Sequence, residues 1–125
     1  MFFYANMLFN GNGVTTDKTR AAKYFKLAAE WGDKKAMKMN ATFLKDGDGI
    51  PIDLELSSSY FKKLANEGDS QSMFEYASIL CKTNSNKKEA AKYLEKAADK
   101  GVIDAAIMYA KMLKDGDGIP FRAFS

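Results

Sequence analysis

The densest group of carboxylates in the sequence is Lys45-Asp46-Gly47-Asp48-Gly49, which has the outline of a calcium loop. Calcium needs oxygen ligands at alternating positions, a glycine at the sixth and an acid at the twelfth. Counted from Asp46, the fifth position is Ile50, the sixth Pro51 and the twelfth Ser57, so the pattern fails and a turn is the better reading. Gly11-Asn12-Gly13, echoed at Gly47 and Gly116, could offer backbone N–H groups to a phosphate. Phosphate loops, however, follow a strand and carry a further glycine or a Gly-Lys-Ser/Thr ending, which none of these does. Cys81 is the single cysteine and there is no histidine to activate it, so its thiol reads as a bystander. Asp46 and Asp48 sit in a solvated turn where nothing would lift a carboxylate into the catalytic range. Trp31 would suit a ligand platform if related positions were apolar, but the residues 36 and 69 further on are Glu67 and Lys100. It is expected to be a partly exposed residue at a helix end. These residues predict no catalytic centre, no metal site, no cofactor and no enzyme.

Composition narrows the remaining classes. The 125 residues, 46% of them hydrophobic and 13% aromatic, fit one folded domain with a continuous core. Two prolines and nine glycines among abundant alanine, lysine and leucine favour helix over strand. The net charge of +3 is spread along the chain, too weak for the concentrated basic stripe that nucleic acid requires. A lone cysteine cannot form an internal disulfide, which suits a reducing compartment. Met1-Phe2-Phe3-Tyr4 lacks a basic start and the apolar stretch breaks at Asn6, so no signal peptide is expected. No run approaches the ~20 apolar residues that span a bilayer. The expectation is a soluble, cytoplasmic protein with no direct membrane insertion.

What would position any functional side chain is a repeat. Aligning the sequence with itself gives a period of 36 that changes once to 33. Met1, Met37 and Met73 share a column, as do Ala5, Ala41 and Ala77, and Leu8, Leu44 and Leu80. Leu44 to Pro51 returns unchanged as Leu113 to Pro120. Met37, Asn40, Ala41 and Leu44 have the spacing of one helical stripe, with Asn40 the weak member because its counterparts are Tyr4, Tyr76 and Tyr109. Glycines at 47 and 49 stop this first-type helix. Asp17 and Asp53 are placed to cap a second-type helix, and Asn86 with Glu89 imitates a capping box in the third copy. Tyr24, Phe25, Ala28 and Ala29 form its buried stripe, repeated as Tyr60, Phe61, Leu64 and Ala65, then as Tyr93, Leu94, Ala97 and Ala98. Gly32, Gly68 and Gly101 end it, after which Asp33 and Asp69 can cap the next first-type helix. Seven helices are predicted, near residues 1–10, 18–31, 34–46, 54–67, 70–82, 87–100 and 103–115, with no strands. The repeat copies run over 1–32, 33–68, 69–101 and an incomplete 102–125, within a single domain of residues 1–125. Alanines facing large side chains allow close antiparallel packing, and stacking the pairs makes one core.

These columns resemble the Sel-one-like repeat, a branch of the tetratricopeptide-like helix-pair repeats. The resemblance rests on Ala36, Ala41, Leu44, Gly47, Gly49, Ile50, Asp53, Tyr60, Ala65 and Gly68, and on Gly11, Gly13, Val14, Asp17, Tyr24, Ala28, Ala29 and Gly32 in the first copy. It implies an all-α, right-handed superhelical solenoid of about three and a half helix pairs. It also implies an adaptor that holds other proteins, with no shared active site to carry over. The alternatives are a structural segment of a longer repeat protein, or a small-ligand binder or cryptic enzyme. The third copy departs from the pattern between Leu80 and Glu89, lacking the Gly-x-Gly turn and three residues, so a shorter loop is expected there.

If Met37, Ala41 and Leu44 are buried, a rotation of roughly 100° per residue puts Lys38, Thr42 and Lys45 on an exposed strip. Equivalent positions are Phe2, Asn6 and Phe9, then Phe74, Ser78 and Cys81, then Ile107, Lys111 and Lys114. They vary while their neighbours repeat, and by the resemblance they lie on a concave face suited to a partner protein or an acidic peptide with apolar anchors. The opening helix, with Phe2, Phe3, Tyr4, Met7, Leu8 and Phe9, and the last first-type helix, with Ile107, Tyr109, Ala110, Met112 and Leu113, lead to the expectation of either a piece of a longer array or a unit that self-associates through its ends, the alternative being that Phe121 and Phe124 fold back as a partial cap.

Overall fold

Local sequence signals set six helices in the computed structural model, which describes residues 17–47 and 50–116. They are α1 (Lys18–Glu30), α2 (Lys34–Asp46), α3 (Leu54–Asn66), α4 (Ser70–Lys82), α5 (Lys87–Asp99) and α6 (Ile103–Asp115). No strand occurs among the described residues. The expected helix at 1–10 and the expectations for both chain ends lie outside them.

The caps follow the sequence. The side chains of Asp17, Asp33, Asp53, Asp69 and Asn86 accept the N–H groups of Arg20, Ala36, Leu56, Ser72 and Glu89 at 2.8–3.1 Å. Each answers one of the orphan donors that every helix start leaves. The capping box at Asn86 is one-sided, because the Glu89 carboxylate turns to Tyr76 and Lys62 and does not reach back. Gly47 closes α2 in the left-handed conformation at φ 74. In the shortened third-copy connection, residues 83–86, that conformation is taken by Asn84 at φ 55. Asparagine tolerates it better than other side-chain-bearing residues, so the turn closes without its glycine and both flanking helices survive.

The chain packs as two compact units, residues 1–60 and 61–125, divided within α3. In the first, Ala21, Ala22, Phe25, Ala28 and Ala29 of α1 are buried, as are Ala36, Met37, Asn40, Ala41, Phe43 and Leu44 of α2. The rings of Phe25 and Phe43 meet at 5.3 Å, tilted by 54°. The buried Ser57 hydroxyl donates to the Ala41 carbonyl at 2.6 Å, and the Asp53 N–H bonds to the Leu44 carbonyl at 2.8 Å, fixing the start of α3 against α2. In the second unit, Phe61, Leu64 and Ala65 of α3 are buried, and Met73, Tyr76 and Leu80 of α4 face α5 residues Tyr93, Leu94 and Ala97. Tyr76 and Tyr93 stack edge to face at 5.0 Å.

Two features of the sequence stripes need correcting. Phe43, Ile79 and Met112, a column left off the first-type stripe, are only 2%, 3% and 5% exposed. The buried arc of these helices is therefore wider than the i, i+3, i+4, i+7 pattern. Tyr24 and Tyr60, assigned to the buried second-type stripe, are half-buried, and of that column only Tyr93 is in the core. Trp31 is 77% exposed at the end of α1, as its polar counterparts imply.

Because Phe25 is fully enclosed and stacks on Phe43, Phe25→Ala should lower the stability of the chain by about 3–5 kcal/mol in urea denaturation. Phe25→Leu, which keeps most of the volume, should cost less than about half as much.

Candidate functional site

The strip expected to meet a partner lies on one face of each first-type helix, but its exposure is uneven. Lys38, Thr42 and Lys45 of α2 are half-buried, and the Thr42 hydroxyl donates back to the Lys38 carbonyl at 2.9 Å. Phe74, Ser78 and Cys81 of α4 are half-buried too, with the Ser78 hydroxyl oxygen enclosed and lacking a hydrogen-bond partner. On α6, Ile107 is 51% exposed and Lys111 and Lys114 are exposed. The expected exposed strip is therefore open on α6 and half-buried on α2 and α4. Phe2, Asn6 and Phe9 lie outside the described residues.

Polar side chains tie the second unit together. The Tyr76 hydroxyl donates to Glu89 at 3.1 Å, and the Lys62 ammonium lies 3.5 Å from the same carboxylate and 5.8 Å from the centre of the Tyr76 ring. The Tyr93 hydroxyl donates to Asn66 at 2.7 Å, and the Lys100 ammonium to the Gly68 carbonyl at 3.1 Å. Burial raises the Tyr76 phenol above the usual tyrosine range, and its hydrogen bond to Glu89 adds to this. The charges of Tyr76 and then Glu89 raise the Lys62 ammonium. On the following pair of helices, Tyr109 donates to Glu95 at 2.5 Å, and that bond, with burial second, pushes its phenol up to about 12.

The first unit treats the related position differently. Asn40 stands where Tyr4, Tyr76 and Tyr109 stand in the other copies, and it is only 2% exposed with its amide Nδ2 lacking a hydrogen-bond partner. It lines a cavity of about 560 Å³ formed by α1, α2, the 50–53 turn and the start of α3. Sequence reasoning noted the irregular residue without foreseeing the space. The readable signal was the loss of an aromatic ring from a column that otherwise keeps one.

Capped helices of equal length, left-handed turns at fixed spacing and alanine-lined contacts define an all-α helix-pair repeat protein. The Sel1 repeat pattern matches residues 1–33, 36–69, 70–102 and 103–120, and the chain belongs to the Sel1 repeat family. That family generally comprises protein-interaction scaffolds. No curated protein is matched by the sequence. Among solved structures, the chain is similar to c5321, a protective antigen of uropathogenic Escherichia coli strains displaying an SLR fold. The TM-score is 0.87 at 21% identity, over 94% of this chain and 26% of that one. It is also similar to a Sel1 repeat protein from Oxalobacter formigenes, with a TM-score of 0.80 at 26% identity over 94% of this chain and 49% of that one. The chain thus spans a quarter to a half of the length of these relatives. No helix among the described residues is long and apolar enough to cross a membrane.

A tyrosine held protonated by a carboxylate contributes stability fully below its ordinary pKa of about 10, and loses that contribution as pH rises through its folded value. For Tyr109 the loss falls between about 10 and about 12. Following tyrosinate absorbance against pH, Glu95→Gln should move one tyrosine back towards the ordinary range and leave the others in place.

Proposed function

We propose that the chain is an intracellular protein-interaction scaffold that holds an acidic partner segment bearing one or two large apolar residues. The residues assigned to the partner are the strip positions of the first-type helices: Ile107, Lys111 and Lys114 of α6, Lys38, Thr42 and Lys45 of α2, Phe74 and Ser78 of α4, and by sequence equivalence Phe2 and Asn6. The observation that carries this reading is the α6 segment, where a large apolar side chain stands 51% exposed beside two exposed lysines. Burying such an anchor supplies affinity, and the flanking cations select carboxylates and speed encounter. Membership of a family of scaffolds supports the class of function, and variation at these positions among repeating neighbours supports the face.

The test is fluorescence anisotropy with a labelled peptide of aspartates and glutamates carrying two leucines or phenylalanines. Replacing Lys38, Lys45 and Lys111 together by glutamate should weaken binding by roughly tenfold or more and flatten its salt dependence. Reversing the exposed second-type lysines Lys63 and Lys92 should leave binding close to that of the parent chain. Equal binding by the first variant would refute the assignment.

A further inference from the structure

The two units solve the same repeat position in opposite ways. In the second, a phenol ring fills the space and a carboxylate neutralises the neighbouring lysine, as the Lys62, Tyr76 and Glu89 contacts show. Moving back by one repeat, those residues become Lys26, Asn40 and Leu56. All three line the cavity of about 560 Å³. The lysine is retained, whereas the ring has shrunk to an amide and the acid has become a leucine. The cavity therefore lacks two things its counterpart has, an apolar body and a negative charge beside the lysine. Behind its wall the Asn40 amide Nδ2 is enclosed with no hydrogen-bond partner, the mark of a position built for a different side chain. Lys23 adds a second cation to the rim. Among the described lining residues the acid is Asp53, which is engaged in capping α3 through the Leu56 N–H at 3.0 Å.

We propose that this cavity binds a small carboxylic acid with an apolar body. The carboxylate is neutralised by Lys26 and Lys23, while the body rests against Leu44, Ile50, Ile52 and Leu56. A volume in the range of small-molecule sites, apolar walls and a few convergent polar groups are the attributes such ligands require. The site is separate from the partner strip. Asn40 and Leu44 lie roughly 150° around α2 from Lys38, Thr42 and Lys45, so the two surfaces can be tested independently.

The full chain, labelled with ¹⁵N, is titrated with 3-phenylpropionate and with the neutral 3-phenylpropanamide, which has the same body. The acid should give saturating amide shifts centred on residues around Asn40 and Leu56, with a Kd of about 1 mM or tighter, and the neutral compound should bind several-fold more weakly. Asn40→Tyr combined with Leu56→Glu rebuilds the arrangement of the second unit and should abolish the saturating response. Lys23→Glu with Lys26→Glu, at exposed positions that leave the core intact, should weaken the acid at least ~fivefold, and decides the matter should the first variant not fold. The proposal is overturned by absence of saturation, by equal binding of acid and amide, or by unchanged binding in the lysine variant. A peptide ending in a free phenylalanine carboxylate that binds more tightly than 3-phenylpropionate would also overturn it, transferring the cavity to the chain end of a partner.

Discussion

Close approach at alanine is the constraint on which the architecture depends. Ala21, Ala36, Ala41, Ala77, Ala90, Ala97 and Ala105 are wholly removed from solvent, and each lets a facing helix come near enough for a ring or a leucine to fill the gap. A larger side chain at one of them would push helices apart, at a typical cost of about 1–3 kcal/mol. Each of the six described helices has thirteen residues, a length at which an isolated helix in water is marginal. Helicity here is consequently a product of packing, and packing requires the alanines. Capping and left-handed turns then fix where each helix stops, so that the small residues of one face the large residues of the next.

Upon that apolar plan lies a thinner polar layer that is not repeated uniformly. In the second unit, phenol hydroxyls link α3 to α5 through Tyr93 and Asn66, and α4 to α5 through Tyr76 and Glu89. The bond to the Glu89 carboxylate is charge-assisted and stronger than the neutral one to the Asn66 amide, and both tie together the helices they join. In the first unit, the shared duties fall to a hydroxyl on a backbone carbonyl, Ser57 on Ala41, and to a stacked phenylalanine pair. The two halves therefore reach the same helix-pair geometry with different chemistry, which leaves one of them free to carry an irregular residue such as Asn40.

Much of the fold was legible in the sequence because the signals are local and recur. Five side-chain caps sit at the residues the spacing indicated, and helix limits agree to within about a residue, since the stop signals are left-handed turns that glycine marks directly. The deletion in the third copy announced a short loop, though not that Asn84 would adopt the glycine conformation. Burial was less legible. A single-stripe pattern assumes one narrow packed face, and Phe43 and Ile79 are buried outside it. On α2 and α4 the strip is half-buried, Lys38 and Phe74 included, which a rotation of about 100° per residue does not register. The cavity beside Asn40 was beyond reach, since a column of residue types records what is missing without showing whether neighbours collapse into the space.

The position of the chain's single tryptophan has an optical consequence. Trp31 ends α1 with its indole 77% in water, and its surroundings change little when the core comes apart. Its emission will therefore resemble that of a free solvated indole in both the folded and the unfolded chain. Loss of structure registers instead in the tyrosines, whose near-ultraviolet dichroism depends on fixed ring pairs such as Tyr76 with Tyr93, and in the amide bands of the helices. A fluorescence trace that stays flat on heating would, for this molecule, say nothing about whether it is folded.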